Sequence, residues 1–290
     1  MIVLILYMLL NEFRNHFNSS LTDYYPKSEI IAFYRRLTDF YFKWPPTFSI
    51  LNPEYHLKKD ELQKLSLALE GLMKFRPIQY IINESHFYGR TFYVDEHVLI
   101  PRRETEDLVK WVLRDFKDAE DHYNVLELGT GSGCIAISLA IEQSKFNIKA
   151  LEVSKAALGV AQKNALHHNV EIDFIHQDMR ILKVWDKTLN VMISNPPYIE
   201  PDEKKEMLPN VLDYEPHLAL FTPDNEPLYF YKKIILLANS SLGSNGCLYL
   251  EINPKFEEDL LTFIKSRSFR DIEVRNDIFG KKRMLKAVKS

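Results

Sequence analysis

Asn195-Pro196-Pro197-Tyr198 is where the chemistry of this chain is densest. It joins a side-chain carboxamide, two proline carbonyls and an aromatic ring with a polar tip. Two consecutive prolines hold the backbone in a fixed, extended shape and remove two N–H donors. Their carbonyls accept with no competing donor on their own residues. A planar group bearing an –NH2 fits such a surface, with two oxygens accepting its two hydrogens and the Tyr198 ring stacked on its face. The target class is an amide or an amino-substituted base. A lone Pro-Pro is commoner in surface loops. Here it follows the apolar run Val191-Met192-Ile193, which reads as a buried strand, so the motif sits at a strand's carboxyl end.

Gly129-Thr130-Gly131-Ser132-Gly133 lies upstream, between a strand-like run, Val125 to Leu128, and a helix-like run, Cys134 to Ala140. Strand, glycine loop and helix open a nucleotide-type site at a sheet's carboxyl edge. Glycines let the backbone approach a ligand and expose N–H groups at the helix start. A dinucleotide fingerprint has glycines at the first, third and sixth positions, and here the sixth is Cys134. The Lys-Ser/Thr ending of a phosphate-binding loop is missing. The spacing suits S-adenosylmethionine, which has no phosphates. Glu152 ends the next strand about 20 residues on, where an acid holds ribose hydroxyls. NAD uses an acid there too, so Glu152 alone does not discriminate. Glycine loop, acid and Asn-Pro-Pro-Tyr in that order are the stronger signal.

The elements that position these motifs alternate. Strands are expected at Val125–Leu128, Ile148–Glu152, Asp173–His176, Leu189–Ser194, Cys247–Ile252, Ile272–Arg275 and Arg283–Val288. Helices are expected at Ile135–Ile141, Lys155–Asn169, Tyr229–Asn239 and Phe256–Ser266. This is an α/β, doubly wound, Rossmann-like sheet of seven strands, with its ligand site beyond the strands' carboxyl ends. A turn at Asp277 to Gly280 makes the last two strands an antiparallel hairpin. Residues 1–85 read as a small helical domain. Ser28 is the expected cap before Ile30, Ile31, Phe33, Tyr34, Leu37 and Tyr41, and Asp60 before Leu62, Leu65, Leu69 and Leu72. Residues 86–104 change to period two, with a turn at Gly89-Arg90, and read as a β-hairpin linker. Residues 105–290 form the catalytic domain.

The segments Pro77 to Ile81, Phe87-Tyr88-Gly89, Val98 to Arg102 and Glu104-Thr105-Glu106, with Leu128 to Gly133, Asn195 to Tyr198 and Tyr214-Glu215-Pro216, resemble the HemK/PrmC family. These are protein-(glutamine-N5) methyltransferases acting on peptide chain release factors. The first four segments make the likeness specific, because Asn-Pro-Pro-Tyr is shared with adenine methyltransferases of nucleic acids. Arg103 stands where the family usually has proline, and Glu152 where aspartate is commoner. The resemblance implies a class I methyltransferase fold and transfer of a methyl group from S-adenosylmethionine to the glutamine amide of a Gly-Gly-Gln motif. It implies cofactor contacts from Gly129, Thr130, Gly131, Ser132, Gly133, Glu152 and Asn195. Asp178 is expected to meet the adenine amine and Met179 its ring. Asn195, Pro196 and Tyr198 are the implied catalytic residues, and Pro197 joins them in binding the substrate amide.

Composition narrows the alternatives. The 290 residues are 46% hydrophobic and 27% charged, with a net charge of −3. That balance disfavours stable nucleic-acid binding and a basic target-recognition domain. Cys134 and Cys247 fall in predicted core segments, so inert, reduced thiols and a cytoplasmic setting are expected. His167-His168 lacks the i, i+4 spacing of a zinc pair, and no metal is expected. The apolar run Met1 to Leu10 is shorter than the about 20 residues that span a bilayer. It lacks a signal peptide's flanks, and translation starting at Met8 is the simpler reading. The chain is expected to act as a monomer away from membranes. A non-catalytic relative would show an eroded glycine loop or Asn195, and both are intact.

Overall fold

In the computed structural model, residues 8–185, 188–223 and 226–290 are described. The start-site expectation for residues 1–7 lies outside them. The chain divides into two compact units, Met1–Asn83 with Pro209–Tyr214, and Glu84–Leu208 with Glu215–Ser290.

The first unit is helical, built on Leu10–Leu21, Lys27–Phe42 and Lys59–Met73, with short helices at Phe48–Leu51 and Ile78–Ile82. The helix Leu10–Leu21 goes beyond the expectation. Leu10, Phe13, Phe17 and Leu21 recur every three or four residues and are all buried. They meet Ile30, Tyr34 and Leu37 and the four leucines Leu62, Leu65, Leu69 and Leu72 in one core. Both expected caps shift. Pro26 precedes the second helix, its ring fixing the entry φ, and Ser28 lies inside the first turn. Lys58 takes the place expected of Asp60, and its N–H donates to the Glu61 carboxylate at 2.9 Å.

The second unit opens with a hairpin, β1 (Glu84–Phe87) and β2 (Arg90–Tyr93). It is shorter than expected and belongs to the sheet unit. Its turn is Tyr88-Gly89, at φ 50° and 71°, so Arg90 already pairs with Phe87. Two consecutive positive φ values match the right-handed twist of the flanking strands. Then follow β3 (Tyr123–Leu128), β4 (Phe146–Glu152), β5 (Asp173–His176), β6 (Leu189–Ser194), β7 (Leu242–Glu251), β8 (Phe269–Asn276) and β9 (Lys282–Lys289). Every expected strand is present, most extended by a few residues. The sheet order is β5-β4-β3-β6-β7-β9-β8, parallel through β7, with β9 and β8 antiparallel. Helices cover both faces, giving two buried clusters.

From β3 the chain steps outward through β4 and β5, then returns to β6 on the other side of β3. The order reverses there, which is where a doubly wound sheet opens a crevice. Leu128 pairs with Ser194, and the Ser194 hydroxyl donates to the Leu128 carbonyl at 2.7 Å. The glycine loop and Asn195 therefore leave adjacent strands side by side. Asn164, buried on the helix Lys155–His167, ties the hairpin to this edge. Its Nδ2 donates to the carbonyls of Tyr93 and Ser132, and its Oδ1 accepts from the Tyr93 N–H at 2.7 Å.

Candidate active site

The glycine loop turns sharply at the end of β3. Gly129, Gly131 and Gly133 have φ of 73°, 54° and 80°, a region L side chains rarely adopt. The N–H groups of Gly129 and Thr130 donate to the Leu151 carbonyl at 2.9 and 3.0 Å. A Cβ at Gly133 would lie 3.2 Å from the Ala161 Cβ, so this glycine lets two helices pack closely. A Cβ at Gly131 would meet nothing within 4 Å.

A cleft opens beside the loop. Gly129, Thr130, Gly131, Ser132, Glu152, Asp178, Met179, Asn195 and Pro197 line it, as do Glu127 and Thr105. Gly133, Pro196 and Tyr198 are not among the lining residues. Gly133 serves helix packing, Pro196 is buried, and the Tyr198 hydroxyl turns to Glu251.

Glu152 is only 8% exposed, so it is no solvated strand end. Its Oε2 accepts from the Gly131 N–H and its Oε1 from the Ser154 N–H, both at 2.9 Å. Asp178 caps a short turn and is engaged by Arg180, which holds its carboxyl below the ordinary range. This ion pair was outside the expectation. Met179 packs against Gly129, its Cε 3.3 Å from where a Cβ there would stand.

Glu127 is a functional candidate that sequence reasoning missed. It is 1% exposed, and its Oε2 accepts from the Thr130 hydroxyl at 2.6 Å and the Ala136 N–H at 3.2 Å. Burial pushes its carboxyl up to about 8. The signal was a lone acid inside an apolar strand, a residue type almost never fully buried without a partner.

Behind Asn195 runs a buried chain of polar groups. Asn195 Nδ2 donates to Thr105 Oγ1 at 3.2 Å, and the Thr105 hydroxyl donates to Glu251 Oε2 at 2.6 Å. The Tyr198 hydroxyl donates to Glu251 Oε1 at 3.0 Å and accepts from Arg283 Nη1 at 3.3 Å. Arg283 Nε donates to Asp277 Oδ2 at 3.0 Å. Burial raises the Glu251 carboxyl, while the bonds from Thr105 and Tyr198 lower it. Burial also raises the Tyr198 phenol. A second clamp joins two segments far apart in sequence. Glu215 Oε1 accepts from Arg102 Nη2 at 2.6 Å, and its Oε2 from the Ile100 N–H at 3.2 Å.

The Methyltransferase small domain family matches residues 108–213. The Release factor glutamine methyltransferase of Flavobacterium psychrophilum is 38% identical over 281 residues, covering 96% of this chain and 99% of that one. The chain belongs to the release factor glutamine methyltransferase family. The Bacteroides thetaiotaomicron protein of that name is 37% identical over 279 residues, again covering 96% and 99%. Among solved structures, the hMettl16 catalytic domain in complex with MAT2A 3'UTR hairpin 6 has a TM-score of 0.55 at 15% identity. It covers 78% of this chain and 81% of that one, a likeness of fold alone.

The release factor glutamine methyltransferase family uses S-adenosylmethionine, and this cleft fits that cofactor. The loop leaves open space at Gly131. Glu127 and Glu152 line the cleft as acids, and Leu151, Val153, Met179 and Phe230 give apolar walls. No Lys or Arg stands within the loop, as suits a ligand without phosphates. Among the described residues, no group of three or more His, Cys, Asp or Glu is placed to hold a metal ion. No helix among them is long and apolar enough to cross a membrane.

Proposed function

We propose that this protein methylates the side-chain amide nitrogen of the glutamine in the Gly-Gly-Gln motif of peptide chain release factors. The observation that carries this reading is the pairing of Leu128 with Ser194, which sets the glycine loop beside Asn195. S-adenosylmethionine, when bound, supplies an electrophilic methyl on a sulfonium. The residues of the chain must then do the rest. An amide nitrogen is a poor nucleophile because its lone pair is delocalised, so alignment has to carry much of the rate, up to roughly 7–11 kcal/mol. Asn195 Oδ1 and the Pro196 carbonyl hold the substrate –NH2 and favour the charge that builds on it. Pro197 stiffens that edge. In this reading the Tyr198 ring stacks on the amide plane; its hydroxyl is anchored to Glu251. No strong base is needed first, since the N–H becomes acidic only as the new bond forms.

Gly129, Thr130, Gly131 and Ser132 line the methionine end of the cofactor in this reading, with Gly133 supporting the loop from behind. Glu152 takes the ribose hydroxyls. Asp178, on lone pairs left beside Arg180, meets the adenine amine, and Met179 packs on the ring. Residues 1–85 form the docking surface for the folded substrate, and residues 86–104 belong to the sheet unit. The protein works as a monomer in the cytoplasm and holds no nucleic acid stably.

The test is a three-armed assay with labelled S-adenosylmethionine. Its acceptors are a folded release factor, a short Gly-Gly-Gln peptide and duplex DNA. Label should enter the folded factor fastest, the peptide slowly and DNA not at all. Label on adenine, or equal rates on peptide and factor, would overturn the reading.

Glu127 predicts a pH dependence. Its raised carboxyl is largely neutral at neutral pH, whereas the cofactor's ammonium and sulfonium favour the ionised form. Binding therefore releases a proton, and affinity should rise with pH as it approaches about 8. Titration calorimetry in buffers of different ionisation enthalpy checks this. Glu127→Gln should flatten the dependence.

A further inference from the structure

Resting on the reading that Asn195 Oδ1 receives the substrate amide, we infer that Glu251 and Arg283 are positioning residues. Acting through Thr105, they fix which end of the Asn195 carboxamide faces the cleft.

The two ends of a carboxamide have nearly the same shape, so packing alone does not choose between them. Hydrogen-bond polarity does. A guanidinium has donors only. Arg283 Nη1 therefore donates to the Tyr198 oxygen, and the single Tyr198 proton points to Glu251 Oε1. Taken as a carboxylate, which only accepts, Glu251 draws the single Thr105 proton to its Oε2. Thr105 Oγ1 then has only lone pairs to offer, and the end of Asn195 facing it must be the –NH2. Oδ1 is left for the ligand side. Glu251 is 1% exposed and Thr105 3%, so little water competes for these links. Arg283 is itself held by Asp277, whose Oδ1 accepts from the Phe279 and Lys281 N–H groups. The β8–β9 turn thus sets the polarity of a chain that ends at the reacting amide.

Glu251→Gln keeps the shape and reverses the sense. Arg283 still directs the Tyr198 proton, which claims the Gln oxygen. The Gln –NH2 then donates to Thr105, the Thr105 proton turns to Asn195, and Asn195 presents its own –NH2 to the substrate's –NH2.

The experiment measures kcat, KM for release factor, S-adenosylmethionine affinity and thermal midpoint for the wild type and four variants. Glu251→Gln and Thr105→Val should lower kcat roughly 10- to 100-fold, with cofactor affinity within about twofold of wild type. Thr105→Ser, which keeps the hydroxyl, should restore the rate lost in Thr105→Val. Asn195→Ala is the control for the amide reading. If Glu251→Gln and Thr105→Val turn over like wild type while Asn195→Ala is inactive, the amide reading stands and this inference fails. It fails equally if rate, affinity and midpoint fall together and serine restores nothing. A wild type without methyl transfer sinks both.

Discussion

Asn195→Ala should abolish methyl transfer and leave the fold intact. The substitution deletes an acceptor aimed at a nitrogen that gains positive charge as it reacts. Removing one preorganised partner of this kind costs about 2.7–4 kcal/mol in the barrier, or roughly 10²- to 10³-fold in rate. The structural cost is small, because Asn195 is only half-buried and its side-chain bond to Thr105 is long. Thr105 keeps its donation to Glu251. Single-turnover rates on the folded factor, with unfolding curves for both proteins, check the expectation. A variant keeping more than about a tenth of wild-type activity would remove Asn195 from the chemistry.

Glu152→Ala should weaken S-adenosylmethionine binding far more than it slows saturated turnover. Ribose is remote from the reacting methyl, so its contacts contribute mostly uniform binding. The structure enlarges the expected effect. The carboxylate also satisfies the Gly131 and Ser154 N–H groups, so alanine loses a ligand contact and loosens the loop. Hydrogen bonds to a charged group contribute about 1.5–3 kcal/mol each, and unpaired buried donors cost about 1–3. Affinity should therefore fall on the order of 100-fold or more, with a measurable loss of stability. Calorimetry and urea unfolding separate the two. Lost stability with unchanged affinity would make Glu152 a loop brace only.

The placement of those two residues at the cleft was legible because each stands at a strand end marked by an apolar run. The sheet was readable for the same reason: runs such as Val191-Met192-Ile193 have no alternative to burial. The helix caps were misplaced because backbone geometry and a neighbouring carboxylate did the work expected of Ser28 and Asp60. The polar chain behind Asn195 could not be read. Thr105 and Glu251 are 146 residues apart, and only the packing of the helix Thr105–Asp115 against β7 joins them. Arg283 arrives on β9, from a hairpin whose sequence reads as an ordinary amphipathic pair. Glu127 and Glu251 each interrupt an apolar strand, and a buried acid inside such a run was the clue available.

In the proposed reaction the cleft beside Asn195 grips a glutamine side-chain amide. Fragmentation mass spectrometry of a release factor after reaction tests it most directly, with a Gly-Gly-Gln factor and its glutamine-to-glutamate variant run in parallel. One methyl should appear, carried on the side-chain nitrogen of that glutamine, and none on the variant. A methyl on another residue, or equal methylation of the glutamate variant, would contradict it.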